Sequence, residues 1–381
     1  MTAATEVDRT QKVPLLARLA GYRAAHATGR FQQLPINLTV SVTYSCPSRC
    51  ATCDIWQKKV DDLSVDEYGR IFPTLHKVPI WVTLSGGDQF VRADFDEVVR
   101  LVATQIEPKI VNIPMNGVIT ERIFDLLPKI AHHTARAQLV LNLSVDEIGD
   151  AHDRIRGADR NFEKLKLVAS LIHDLKKTYP HVVLGVHTVI SKLNVNRIPE
   201  IERAARAIFQ PDSYIAEVAE NRVELKTMEK DITPDPADYR RAVRHLGNVI
   251  RANRSTHPVA RLVESLRLEY YDLAARILEE KRQIIDCYAG WASAHLAPDG
   301  NVWGCCVRAE SMGNVRDHGY DFGTIWLGPR ADAFRASVRA HECSCPLANA
   351  SYTNLLLDPR SLVRVAAHMA GVDGLAAGER S

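Results

Sequence analysis

Between positions 37 and 218 the sequence alternates short apolar runs with longer amphipathic ones, and this alternation constrains the fold more than any other feature. The runs 37–43, 80–84, 110–115, 138–145, 182–190 and 213–218 read as strands, being short and rich in branched apolar residues. Helical runs fall between them at 95–104, 121–131, 161–177 and 198–208, and Ser64-Val65-Asp66-Glu67 is a capping box that opens another. In 161–177, Phe162, Leu165, Val168, Leu171, Ile172 and Leu175 share one face. The run 182–190 is apolar through most of its length, as a strand covered on both sides would be. Repeated strand–helix units with right-handed crossovers build a parallel sheet under an outer layer of helices. Six units are too few for a closed eight-stranded barrel, so the predicted α/β fold is an open partial (β/α)6 barrel.

Sites in such sheets lie at the carboxyl ends of the strands. Directly after the first strand come Cys46, Cys50 and Cys53 at C-x3-C-x2-C spacing. A structural zinc takes four protein ligands, whereas a cubane iron–sulfur cluster held by three cysteines keeps one iron free. A zinc knuckle with a distant fourth ligand, or three ordinary thiols, is the competing reading. After the second strand, Ser85-Gly86-Gly87-Asp88 places two glycines where backbone approaches a ligand closely. By the same placement Asn116, Gly117, Asn142, Ser144, Asp146, His187, Thr188 and Asn194 are lining candidates, against the alternative of polar turn residues capping the next helix. The stretch Arg154-Ile155-Arg156-Gly157 is expected to pair locally rather than hold a carboxylate, and Glu217 and Glu220 to be solvated at a strand end, the alternative being that they reach the barrel mouth.

Lysine and arginine number 48 against 46 acids, a balance that calls for neither nucleic acid nor an anionic membrane. No apolar run approaches the ~20 residues of a membrane span. The segment from Val13 to Tyr22 is broken by Arg18 and preceded by Glu6 and Asp8, unlike an export signal, so a cytoplasmic protein is expected. Clustered cysteines in such a chain favour metal or cluster ligation over disulfides. Residues 1–35 read as an extension whose helix lays Leu15, Leu16 and Leu19 over the barrel, and 36–225 as the barrel itself. Residues 226–284 read as a helical linker entered through Thr233-Pro234-Asp235-Pro236, with Val259, Leu262, Val263, Leu266, Tyr270, Leu273 and Ile277 as a core stripe.

The other five cysteines lie in a segment, 285–350, expected to form a small C-terminal α+β domain. Ala297-Pro298-Asp299-Gly300-Asn301 reads as a hairpin turn that brings Cys287 and Cys305 to one site, which Cys343 and Cys345 close from later in the chain. Cys306 is a substitute ligand if the register differs by one, and a zinc ribbon is the competing reading. Residues 347–354 either line a substrate cavity or cap the last turn. Residues 351–381 are expected to hold a docking helix at 361–370 and a tail from 371 that frays.

The two strong motifs resemble those of the radical S-adenosylmethionine (radical SAM) superfamily: Cys46, Cys50 and Cys53 match its cysteine motif. Gly86-Gly87-Asp88 looks like its glycine-glycine-acid motif, which in the family meets the amino group of the methionine moiety. Asp88 stands where Glu is usual and Thr52 where an aromatic residue is usual, with Trp56 as a substitute aromatic surface. The resemblance implies an open barrel, a 4Fe–4S cluster and S-adenosylmethionine, with Asn116, Ser144, Asp146 and Thr188 as candidate cofactor contacts. Cys287, Gly300 and Cys305 resemble the opening of the SPASM and Twitch extensions; without the longer SPASM run of cysteines the resemblance suits the shorter Twitch version, which implies one auxiliary 4Fe–4S cluster on Cys287, Cys305, Cys343 and Cys345. The expected activity is oxidation of a small polar metabolite such as a sugar or aminocyclitol, served by a flavodoxin or ferredoxin. Peptide modification is an alternative, as is a redox-neutral epimerisation in which Cys306 returns a hydrogen atom. A zinc-stabilised scaffold is the non-enzymatic alternative.

Overall fold

Strands and helices alternate as the pattern predicts in the computed structural model, which describes residues 14–30 and 32–372. Helix α1 (Leu15–Thr28) precedes β1 (Asn37–Ser41), α2 (Val65–Ile71), β2 (Trp81–Ser85), α3 (Phe95–Leu101), β3 (Ile110–Met115), α4 (Thr120–His133) and β4 (Gln138–Ser144). Next come α5 (Asp150–Arg156), α6 (Asn161–Thr178), β5 (Val182–Ile190), α7 (Ile198–Phe209) and β6 (Ser213–Val218). Beyond these lie α8 (Pro236–Ala252), α9 (Pro258–Glu280), β7 (Ser293–Leu296), β8 (Asn301–Trp303), β9 (Ser311–Asn314), α10 (Phe322–Trp326), α11 (Pro329–Arg339), α12 (Ala348–Leu357) and α13 (Pro359–Ala370).

Strands β1 to β6 are parallel and adjacent in sequence order, with β6 a free edge, so the barrel is open. The sheet does not stop at β1. Strand β7 pairs parallel with it from Asn37↔Ser293 to Val40↔Leu296, and β8 and β9 continue antiparallel into one nine-stranded sheet. The hairpin turn forms as expected, Ala297 N donating to Asn301 O and Gly300 adopting φ +86°. The C-terminal strands thus extend the barrel's own sheet.

Alternation within the strands sorts the two faces. Val111, Ile113 and Met115 of β3 are buried with Ile123, Leu127 and Ile130 of α4 in the main core, each contributing about 1.5–3 kcal/mol on burial. Polar residues of the same strands interlock instead: Asn142 donates to Asn112 at 2.7 Å and Asn112 to Thr83 at 3.3 Å.

Two helices differ from expectation, and a third docks as expected. Helix α1 buries Arg18, Tyr22, Ala25 and His26, while Leu15 and Leu16 are exposed; Arg18 is drawn in by the carbonyl of Val78 at 2.7 Å. In α9, Leu266, Tyr270, Leu273 and Ile277 are buried, but Val259, Leu262 and Val263 in its first turns are exposed. The 361–370 segment docks as α13 through Arg364 and His368 on Glu269, at 2.6 and 3.1 Å. The expected fraying beyond residue 372 lies outside the described residues. No helix among the described residues is long and apolar enough to cross a membrane.

Candidate functional site

The cysteine loop is held at both ends by backbone. After β2, Gly87 N donates to Thr43 O at 2.7 Å and Asp88 N to Ser45 O at 2.8 Å, latching the glycine pair to the residues just before Cys46. The contact leaves no room for a side chain: a Cβ on Gly86 would stand 2.2 Å from Thr43 O, and one on Gly87 2.3 Å from Ser45 O. On the other side Ala51 N donates to Ile155 O at 2.8 Å, and a Cβ on Gly157 would meet Arg49 O at 2.3 Å.

Cys46, Cys50 and Cys53 line a cavity of about 260 Å³ together with Ser85, Gly86, Gly87, Asn116, Asn142, Ser144 and His187. Burial pushes the Cys46 thiol up to about 11 and the Cys53 thiol to about 12, and Asn116 Nδ2 lies 3.8 Å from Cys46 Sγ. Such thiols are neutral until a cation compensates them.

Several candidates stand behind this lining. Asp88 is 2% exposed; its Oδ1 caps Phe90 N at 3.0 Å, its Oδ2 is buried with no partner, and burial raises its pKa. Asp146 accepts from Val189 N at 2.9 Å and from Arg156 Nη1 at 3.0 Å, so Arg156 pairs locally as expected yet also lines the cavity. Thr188 is fully buried, donating to Val145 O at 2.6 Å and accepting from Tyr214 at 2.9 Å. Asn194 holds Asp146 O at 2.7 Å, and Gly117 packs on Leu165. Trp56 lies under the Arg49 guanidinium at 4.1 Å rather than in the lining.

The wall opposite the cysteines carries Glu217, Glu220 and Arg222, all lining the cavity. The expectation of solvated carboxylates is therefore corrected: Glu217 points into the cavity from β6 itself, and the segment after β6 carries Glu220 and Arg222 into the lining. Glu217 lies 3.4 Å from His187 and Glu220 2.6 Å from Arg222. Burial acts to pull His187 down, but Glu217 outweighs it and the net shift is upward. Burial raises Glu220, and its Oε2, like Asn142 Oδ1, has no partner. Thr83, Asn112 and Arg222 also line the cavity and were missed, while Asn349 enters it from the 347–354 stretch that was offered as cavity lining. Thr83 and Asn112 were findable as lone polar residues in apolar strands, but nothing in the sequence ties Arg222 to the barrel interior.

In the second set, burial pushes Cys287 to about 12 and Cys305 to about 11, and the neighbouring thiols, Cys343 among them, add to both. Cys345 is likewise raised by burial, with Cys287 and Cys305 among its neighbours. Cys306 Sγ lies 3.9 Å from Arg222 Nη1, with Cys305 and Cys345 packed against the same small apolar cluster. Among the described residues, the groups of three or more ligand atoms lying within 4.8 Å of one another are Glu224–His295–Cys306 and Asp96–Glu97–His133. Neither cysteine set is so compact. One tetrahedral zinc with Zn–S bonds of about 2.3 Å would hold its sulfurs about 3.8 Å apart, so the wider spacing suits the separate irons of a cluster.

The family model for the radical SAM superfamily matches residues 40–205, and one for an iron–sulfur cluster-binding domain, SPASM, matches residues 287–346. The chain is 22% identical over 329 residues to the antilisterial bacteriocin subtilosin biosynthesis protein AlbA of Bacillus subtilis, covering 82% of this chain and 65% of that protein. It is 32% identical over 116 residues to GTP 3′,8-cyclase of Synechocystis, covering 29% and 33%. The chain thus spans less than two thirds of the length of either curated relative. Its fold is similar to SuiB of Streptococcus suis bound to S-adenosylmethionine, with TM-score 0.58, 13% identity and coverage of 80% and 68%. It is also similar to anSMEcpe with bound AdoMet and a peptide, with TM-score 0.58, 12% identity and coverage of 89% and 99%.

Proposed function

Because this chain belongs to the radical SAM superfamily and carries a SPASM cluster-binding domain, we propose that it removes a hydrogen atom from a residue of a peptide and oxidises it by two electrons. The observation that carries this reading is the single cavity shared by the three cysteines and a wall of paired polar groups. The cofactors of such a chain are S-adenosylmethionine and 4Fe–4S clusters, which when bound supply a 5′-deoxyadenosyl radical. The residues present fit them: three thiols share the cavity, and the buried Oδ2 of Asp88 lacks a partner.

In this reading Cys46, Cys50 and Cys53 hold one cluster, and Cys287, Cys305, Cys343 and Cys345 the other. Gly86, Gly87, Asp88, Asn116 and Ser144 bind S-adenosylmethionine. Asp146 acts through Arg156, which it turns toward the cavity, and Thr188 ties the ends of β4 and β5 together. Four cysteines leave no ligand position for substrate at the second cluster, which suits uptake of the electron from the substrate; a flavodoxin or ferredoxin serves as donor to the first. His187, Glu217, Glu220 and Arg222 orient the substrate and exclude water.

Likeness to a bacteriocin biosynthesis protein over 82% of the chain supports a peptide over a free sugar or aminocyclitol. Cys306 is outside the cavity lining, against Arg222, which weighs against its returning a hydrogen atom.

Iron and sulfide analysis of the anaerobically reconstituted chain tests the assignment. We expect about eight irons, falling to about four when Cys46, Cys50 and Cys53 are all replaced by Ala, with 5′-deoxyadenosine formation abolished. Persistent cleavage of S-adenosylmethionine in that variant would sink it.

A further inference from the structure

At the seam between the barrel and the C-terminal strands, three buried side chains of metal-ligating type meet, and the reading above uses none of them. Glu224 comes from the loop after β6, His295 from β7 and Cys306 from the turn after β8; they are 5%, 4% and 6% exposed. Their ligand atoms all lie within 4.8 Å of one another. Ser41 Oγ, at the end of β1, sits 2.9 Å from Glu224 Oε1 and 2.9 Å from His295 Nε2, while Nε2 is 3.2 Å from Oε1.

These three contacts form a closed triangle. With a neutral imidazole it holds at most two hydrogens, one on Ser41 Oγ and one on His295 Nε2, so one edge has no proton to bridge it. The Glu224–His295 edge of 3.2 Å is that of donors sharing one ion: bonds of about 2.0–2.1 Å at tetrahedral angles place oxygen and nitrogen ligands about 3.3 Å apart. Charge also balances, since a carboxylate and a thiolate together neutralise a divalent cation in a buried setting. Arg222 Nη1, 3.9 Å from Cys306 Sγ, stands where an outer partner of a bound thiolate belongs.

We propose that Glu224, His295 and Cys306 bind a single divalent transition-metal ion, Zn²⁺ being the best match to one oxygen, one nitrogen and one sulfur ligand, with Ser41 or a water in the fourth position. None of the three lines the cavity of the cysteine loop. The ion therefore fastens the barrel to the C-terminal strands, holding the β6 loop, β7 and the turn after β8 at one point.

The test uses the full chain with its clusters reconstituted, given ZnCl₂ and then passed through a chelating column. Zinc, iron and sulfide are measured, and the zinc shell is read by X-ray absorption. We expect about one zinc per chain with one sulfur and otherwise nitrogen and oxygen neighbours. His295→Ala and Glu224→Gln should each reduce zinc retention at least about tenfold while iron and sulfide stay unchanged. Should His295→Ala fail to fold, the near-isosteric Glu224→Gln decides. A wild type that retains no zinc, or undiminished zinc in Glu224→Gln, overturns the proposal and leaves the cysteine clusters untouched; an all-sulfur shell overturns it by placing the zinc on one of the cysteine sets.

Discussion

Gly87 shows how much a missing methyl group carries. Its amide and that of Asp88 are bonded to the backbone just ahead of Cys46, and a Cβ there would stand 2.3 Å from Ser45 O and 2.6 Å from Tyr44 O. Both obstacles are backbone, so relief means moving the cysteine loop. Gly87→Ala is expected to cost about 1–3 kcal/mol and to lower the iron content toward that of the triple cysteine variant; wild-type iron with unimpaired S-adenosylmethionine cleavage would contradict this. The glycines were legible in the sequence as a place of close approach, but what approaches was not: it is the protein's own loop. The same limit applies to Glu217 and Glu220. As residue types at a strand end they resemble solvated acids; Glu217 becomes a cavity group through His187 on the neighbouring β5, and Glu220 through the segment after β6 that brings Arg222 to 2.6 Å from it.

At the scale of elements, α2 is both a capped helix and an anchor. Ser64 and Glu67 form the expected capping box, Ser64 N donating to Glu67 Oε2 at 2.8 Å and Glu67 N to Ser64 Oγ at 3.2 Å. The same carboxylate accepts from Arg316 Nε at 2.7 Å and Tyr320 OH at 3.1 Å, reaching the turn after β9. The Arg316 hydrogen bond, opposed by partial burial and aided by Ser64, holds the Glu67 carboxyl down at about 2 from its ordinary 4.5. Because the folded value is depressed, this contribution is full above the unfolded value and is lost as pH falls from about 5 toward 2. Glu67→Gln should cost about 1–2 kcal/mol at neutral pH, and the gap to wild type should close on acidification. Paired urea titrations of the two chains, in which any loss common to both cancels, measure it; a gap independent of pH would refute the linkage. The elements were the most legible level, with α6 and β5 falling where periodicity places them. The errors at α1 and α9 show what an apolar stripe leaves out: Arg18 is buried in α1 through its bond to Val78 O, and the first stripe residues of α9 stay exposed.

For the whole molecule, the pairing of β7 with β1 matters most. It makes the C-terminal strands the continuation of the barrel sheet, so the two parts bury an edge that neither can leave open. A chain ended after Gln283 should therefore aggregate and fail to retain the first cluster, although all of 40–205 is present; a monodisperse, iron-bearing fragment on size exclusion would show that the barrel stands alone. The sequence by itself determined the strand–helix alternation, the capping box, the hairpin and the clustering of thiols, because each rests on neighbours in the chain. The joining of β7 to β1, the inward loop after β6, and the meeting of Glu224, His295 and Cys306 were decided only by the tertiary structure. Those contacts link segments tens to hundreds of residues apart, and local propensity and periodicity carry no information about which distant segment a given edge, loop or side chain will meet.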